Sequence, residues 1–108
     1  MNGVSDMTYG VIVTVPAPVA TYDALHQELL RQTGGNIEGL LVHIARVTPE
    51  GFQVIEVWES QELYDRCNRE VLWPLAAKIL GDQPPGAEPA IDEFEVRGLV
   101  VPLSQIAV

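Results

Sequence analysis

The fold is decided by residues 39–60, whose sequence is Gly-Leu-Leu-Val-His-Ile-Ala-Arg-Val-Thr-Pro-Glu-Gly-Phe-Gln-Val-Ile-Glu-Val-Trp-Glu-Ser. Two runs rich in β-branched and aromatic residues, 39–47 and 52–59, flank the segment 48–51, Thr-Pro-Glu-Gly. The runs favour strands. The segment between them is typical of a turn, because proline presets one backbone torsion and glycine accepts a positive φ. Two strands joined by so short a turn form an antiparallel hairpin.

The residues before the hairpin predict one strand and one helix. Residues 9–15, Tyr-Gly-Val-Ile-Val-Thr-Val, favour a strand that ends at Pro16. A helix is expected from about Thr21, a fair N-cap, because apolar residues then recur at helical spacing. Gly34 and Gly35 indicate where this helix ends.

The residues after the hairpin predict a second helix and a last strand. Ser60 is suited to cap the helix, and Pro74 should kink or interrupt it. A loop is expected over 81–89 and a strand over 90–100. An apolar stripe with a spacing of four residues runs along the predicted helix and consists of Leu63, Cys67, Val71, Leu75 and Ile79.

This order of elements predicts a ferredoxin-like α+β fold, in which two helices cover one face of a four-stranded antiparallel sheet. In residues 40–45, both sets of alternating residues are largely apolar, and the other strands behave similarly. A monomer rarely exposes a large apolar sheet face, so we expect two sheets to pack face to face in a homodimer. We expect one domain over 1–108, with a flexible N-terminus over 1–7, a core over 9–100 and a C-terminal tail over 101–108.

The composition narrows the classes of partner. Six Lys and Arg residues against fifteen Asp and Glu residues give a net charge of −9, which argues against binding to nucleic acid or to an anionic membrane. One cysteine and two histidines leave little material for a metal centre, and we expect no cofactor. No basic and apolar leader stands at the start, and no apolar run approaches the ~20 residues that a membrane span needs, so we expect a cytoplasmic protein.

The hairpin over 39–60 resembles the antibiotic-biosynthesis-monooxygenase-like branch of the dimeric α+β barrels. Leu63-Tyr64 and the closing stretch 94–102, Phe-Glu-Val-Arg-Gly-Leu-Val-Val-Pro, fit the same pattern, so the resemblance covers roughly residues 8–102. It implies a homodimer with a pocket in each subunit between the sheet and its helices. Members of that branch include cofactor-free monooxygenases acting on aromatic polyketides and quinols, haem-degrading enzymes and isomerases. The haem-degrading members carry an asparagine in the first strand and a histidine in the second helix, and this sequence has neither.

His43 and Glu56 are the candidate catalytic residues. His43 lies in the middle of an apolar strand, where a buried imidazole needs a polar partner, and histidine is suited to accept a proton near neutral pH. Glu56 shares a strand face with apolar residues and would orient His43 if the two were neighbours. The alternatives are a purely structural core histidine, and a Glu56 that points to a solvated edge or bridges an arginine across the dimer.

The candidate substrate-binding residues are mainly aromatic side chains near the predicted pocket. Aromatic rings can stack on a planar ligand, although the same residues also serve as packing. One of them, His26, either faces the sheet or lies at the helix shoulder in water. The candidates are Tyr22, His26, Trp58, Tyr64, Asn68 and Trp73.

Two functions follow as hypotheses. In the first, the protein is a cofactor-free monooxygenase-like enzyme, in which His43 removes a proton from a small, planar, largely apolar quinol or polyketide-like substrate. In the second, it is a non-catalytic homodimer that binds a small molecule or acts in a stress response, since no strong catalytic motif is present.

Overall fold

The four strands form one antiparallel sheet, as seen in a computed structural model that describes residues 8–81 and 88–102. Helices pack on one face of this sheet, so the predicted ferredoxin-like α+β fold is confirmed. The predicted flexible segment 1–7, most of the loop over 81–89 and the end of the tail lie outside the described residues. The strands are β1 (Tyr9–Val15), β2 (Leu40–Thr48), β3 (Gly51–Trp58) and β4 (Ala90–Phe94). Their order across the sheet is β2-β3-β1-β4.

The last strand is shorter than the sequence predicts. The alternation of residues favoured a strand over 90–100, but β4 ends at Phe94 and this boundary prediction is wrong. The reason is the length of its neighbour, because Phe94 pairs with Gly10 and β1 begins only one residue earlier, at Tyr9. Residues 95–102 therefore continue without a strand partner, and Leu99, Val100 and Val101 are exposed.

The first helix, α1 (Val19–Thr33), begins two residues before the predicted Thr21. Pro18 stands at its N-cap with φ −57°, and the Thr21 N–H already donates to the Pro18 carbonyl at 2.9 Å. Proline fixes φ near the helical value, so it starts a helix without needing a capping side chain. Gly34 ends the helix in the left-handed region at φ 65°, as predicted.

The second helical segment contains an irregular turn near Pro74. It consists of α2 (Gln61–Cys67), a π-helical turn (Asn68–Leu72) and α3 (Trp73–Leu80). Ser60 caps α2 by accepting a hydrogen bond from the Leu63 N–H at 3.2 Å, as predicted. Pro74 lies in the first turn of α3, and since proline has no N–H to donate, the preceding π-helical turn is the predicted interruption.

Helices cover one face of the sheet and leave the other face open. The helix-covered face carries the buried side chains of Val11, Phe52 and Trp58. The opposite face, which we call the open face, carries three cross-strand rows defined by the pairing of β1, β2 and β3. Two of these rows are apolar, whereas the third is polar and hydrogen-bonded. The rows are Ile12-Ile55-Ile44, then Val57 and Val42 beside Phe94, and finally Thr14-Gln53-Arg46.

Within the described ranges, no helix is long and apolar enough to cross a membrane.

Candidate functional site

A continuous hydrogen-bonded chain of side chains crosses the helix-covered face. The Tyr22 hydroxyl lies 2.8 Å from Nε2 of His43, and Nδ1 of His43 lies 2.6 Å from Oε2 of Glu56. The indole Nε1–H of Trp58 donates to the other oxygen, Oε1 of Glu56, at 2.9 Å. We call Tyr22, His43, Glu56 and Trp58 the relay.

Strand register and one helix contact bring these four residues together. His43 of β2 stands directly opposite Glu56 of β3, so their side chains share a face. Trp58 lies two residues further along β3 and therefore on the same face. Tyr22 comes from the first turn of α1 and reaches across to β2. The sequence pointed to His43 beside Glu56, and the structure brings these two together.

The donors and acceptors of the relay are all matched by one tautomer of His43. Trp58 can only donate, and a carboxylate can only accept. With its proton on Nδ1, His43 donates to Glu56 and leaves the Nε2 lone pair for the Tyr22 hydroxyl. Every donor in the relay then points towards Glu56, and the Tyr22 oxygen retains lone pairs with which it can accept a further proton.

Burial determines how the side chains of the relay behave chemically. The side chains of His43 and Glu56 are 22% and 15% exposed. Burial first, and then the negative charges of Glu56 and Asp23, raise the pKa of Tyr22 to about 12. Tyr22 therefore stays protonated at neutral pH and remains a hydrogen-bond donor to His43.

His26 stacks on the relay. Its ring lies 5.0 Å from Tyr22 and 5.3 Å from His43 between centroids, and it is inclined by only 6° to the His43 ring. Of the two orientations that the sequence left open, the structure shows the one that faces the sheet. Phe52 also packs against Tyr22, and the centroids of these two rings lie 5.4 Å apart. The stacked rings hold Tyr22 and His43 in line.

The remaining candidate residues lie at the other end of the relay or away from it. Tyr64 packs edge-on against Trp58 at 5.7 Å, and Asn68 follows it by four residues, at the start of the π-helical turn. Trp73 is 60% exposed on α3, which does not suit the wall of an enclosed site. Tyr9 was not singled out by the sequence, yet its ring lies 5.2 Å from that of Tyr64. The alternation of β1 places Tyr9 on the same face as Val11, and this alternation is the feature of the sequence that could have identified Tyr9.

An open cavity of about 160 Å³ adjoins the Tyr22 end of the relay. A larger and more open depression of about 370 Å³ lies beside it, along Pro16–Val19 and Val47–Gly51. Neither is lined by His43 or Glu56, and of the two the smaller is lined by Tyr22. A molecule in the smaller cavity therefore meets the relay at Tyr22. The smaller cavity is lined by Val19, Tyr22, Asp23, Ala45, Arg46, Val47 and Phe52.

Among residues 8–81 and 88–102, no group of three or more His, Cys, Asp or Glu side chains is placed to hold a metal ion.

Several solved structures share this architecture. A candidate antibiotic biosynthesis monooxygenase from Caulobacter crescentus CB15 is 21% identical, with a TM-score of 0.63 over 85% of this chain and 92% of that chain. A second, from Chloroflexus aurantiacus J-10-fl, is 22% identical, with a TM-score of 0.60 over 87% and 98%. A protein of unknown function from Nitrosomonas europaea is 14% identical, with a TM-score of 0.64 over 91% and 97%.

At the level of sequence, no family model and no curated protein matches the chain. The likeness is thus one of backbone architecture, and it covers nearly the whole of each neighbouring chain. The protein has the ferredoxin-like α+β fold of the antibiotic biosynthesis monooxygenase-like proteins.

Proposed function

We propose that this protein is a cofactor-free monooxygenase-like enzyme that acts on a small, planar, largely apolar phenol or quinol. The observation that carries the proposal is the relay, in which a histidine between a tyrosine and a carboxylate lies on an otherwise apolar sheet face. The fold of the neighbouring candidate monooxygenases is compatible with this activity. Fold alone does not determine chemistry, so the argument rests on the side chains.

The hydrogen bonds indicate where a substrate proton would go. Both nitrogens of His43 are already engaged, so the base acts through Tyr22 and does not touch the substrate itself. A substrate hydroxyl in the adjoining cavity donates its proton to the Tyr22 oxygen, while Tyr22 passes its own proton to Nε2 of His43. The resulting imidazolium lies 2.6 Å from Glu56, whose carboxylate stabilises the positive charge.

In the next step the substrate anion itself reacts with dioxygen. A phenolate or enolate is electron-rich enough to react with dioxygen without a metal or flavin. One oxygen atom enters the substrate, the other leaves as water, and the substrate supplies the electrons. The cavity walls Val19, Ala45, Val47 and Phe52 are apolar, which suits the rings of such a molecule.

The test is oxygen uptake with a panel of quinols and aromatic polyketides. His43→Ala and Tyr22→Phe should each lower kcat by about 10²-fold or more, the usual contribution of a positioned base. Glu59→Gln, an exposed carboxylate that follows β3, is the matched control and should leave turnover unchanged. Retained turnover in His43→Ala would contradict the mechanism. Tight binding without turnover across the panel would favour the non-catalytic alternative.

We also propose that a second copy of the chain covers the open face. This face carries two apolar rows, and on it Ile44 and Phe94 are 53% and 37% exposed. A sheet that is apolar on both faces favours sheet-on-sheet packing. Sedimentation or native mass spectrometry should therefore give a dimer, and Ile44→Glu should give a monomer with the same helix and strand content. A monomeric wild type at low micromolar concentration would refute the proposal.

A further inference from the structure

The lining of the smaller cavity contains a carboxylate that the relay does not use. This is Asp23, which directly follows Tyr22 on α1 and, like Tyr22, lines the cavity. Within the part of the chain that the structure describes, no hydrogen bond or ion pair engages the Asp23 side chain. Its negative charge is therefore available to a bound molecule.

The other charged residue that borders this cavity is Arg46, and its guanidinium belongs to the polar row of the open face. Its Nε donates to Oε1 of Gln53 at 2.8 Å, and Nε2 of Gln53 donates to the Thr14 hydroxyl at 3.0 Å. The alternation of β2 places Arg46 on the face opposite to His43. Arg46 is thus held on the other side of the sheet and forms no ion pair with Asp23.

The remaining lining is suited to a single aromatic ring with a short substituent. The cavity has a volume of about 160 Å³, and a protein cavity of about 150 Å³ is enough for a benzene molecule. Val19 and Val47 are 37% and 67% exposed, and both also line the larger depression. A short chain attached to the ring therefore has room beside them.

A negative charge at Asp23 works against the proposed reaction unless the substrate offsets it. The negative charges of Glu56 and Asp23 contribute to the raised pKa of Tyr22, and they also oppose the ionisation of a substrate phenol beside Tyr22. The proton released by the substrate makes His43 positive, and this charge offsets Glu56 at 2.6 Å. No group in the relay offsets Asp23 in the same way.

We propose that the substrate is a phenol that carries a protonated amine on a short chain, and that Asp23 binds the ammonium group. This specificity for a cation rests on the proposed function and deepens it. The ring lies in the smaller cavity with its hydroxyl at Tyr22, and the ammonium donates a hydrogen bond to the Asp23 carboxylate. The phenolate then forms beside a neutral pair of charges. The net charge of −9 also attracts a cation from solution.

The test compares three phenols that differ only in the group at the end of the same short chain. Tyramine ends in an ammonium, para-propylphenol in a methyl group and phloretate in a carboxylate. Calorimetric titration of the wild type should give a Kd for tyramine about 10-fold or more below that for para-propylphenol, as expected for a hydrogen bond to a charged group. Phloretate should bind most weakly. Amide shifts induced by tyramine should centre on Val19, Asp23 and Ala45.

Substitution of the carboxylate assigns the discrimination to one residue. Asp23→Asn should raise the Kd of tyramine to about that of para-propylphenol and leave the latter unchanged. Glu59→Gln removes the same charge from an exposed position and should preserve the discrimination. Circular dichroism establishes that both variants are folded. The proposal is overturned if tyramine does not bind, if the wild type binds para-propylphenol or phloretate as tightly as tyramine, or if the discrimination survives Asp23→Asn.

The binding test and the activity test fail separately, because no turnover is measured in the first. Oxygen uptake with neutral phenols and no preference for tyramine would refute the role of Asp23 and leave the monooxygenase assignment standing. Binding of tyramine that depends on Asp23, without oxygen uptake, would support recognition of the cation and refute the assignment of the reaction.

Discussion

Replacing Glu56 by glutamine should reverse the direction of the two hydrogen bonds that His43 makes in the relay. The carboxylate accepts from Trp58 at 2.9 Å and from His43 at 2.6 Å, and these two donors use both of its oxygens. A glutamine amide of the same shape has only one oxygen. That oxygen can keep the Trp58 indole N–H, which can only donate, and the amide NH₂ then faces His43. We expect His43 to move its proton to Nε2 and to donate it to Tyr22.

The free-energy cost follows from the two hydrogen bonds. A hydrogen bond to a charged group contributes about 1.5–3 kcal/mol and a neutral one about 0.5–1.5 kcal/mol, so two such exchanges cost about 2–3 kcal/mol. Solvent screening lowers this value, because the side chains of His43 and Glu56 are 22% and 15% exposed, and about 1–2 kcal/mol remains. For a domain of this size that corresponds to a fall in Tm of roughly 5–15 °C.

Two measurements examine this prediction. Nitrogen chemical shifts of the imidazole report the tautomer directly and should show Nδ1–H in the wild type and Nε2–H in Glu56→Gln. Thermal unfolding gives the change in stability, with Glu59→Gln as the exposed control on the same segment. An unchanged tautomer in Glu56→Gln, or a Tm equal to that of the control, would refute the reasoning about the relay.

Three further outcomes are expected. Ser60→Ala removes the cap of α2 and should lower the free energy of unfolding by about 1 kcal/mol, measured by denaturant titration, with the exposed Glu59→Gln as the control. Gly39→Ala should cost about 2–4 kcal/mol in the same assay, because its φ is 86° and an added Cβ would lie 2.6 Å from a Leu63 carbon. An unchanged value would contradict either prediction. Subtracting the alkaline absorbance titration of Tyr22→Phe from that of the wild type should isolate a phenol that ionises near pH 12. Since the folded-state pKa of Tyr22 is raised, its contribution to stability is complete below pH 10 and is lost as the pH rises towards 12. A difference curve centred near pH 10 would contradict the burial of Tyr22.

The parts of the fold that local sequence controls were predictable. The hairpin over 39–60, the Ser60 cap and the end of α1 at Gly34 each depend on residues close in sequence. The C-terminal limit of β4 was not predictable in this way. Residues 95–100 have strand-like composition, but a strand also needs a partner, and β1 has too few residues to provide one.

In the candidate site, too, one contact was predictable from local sequence and another was not. The approach of His43 to Glu56 follows from the register of a hairpin and from the two-residue alternation of strands. The bond from Tyr22 to His43 depends on how α1 is placed and rotated over the sheet, which no local pattern specifies. In the proposed mechanism this one contact moves the point of substrate contact from His43 to Tyr22.

Stability alone does not account for the relay. Every donor and acceptor in it is matched, so the buried polar groups carry no large penalty. Well-packed apolar side chains at the same positions are often equally stable or more stable, because they need no partner and lose no hydration. Val11 and Phe52, which lie on the same face as the relay, follow that apolar rule. A matched polar line on an apolar face, open to a cavity at its Tyr22 end, is what proton transfer requires and what packing does not.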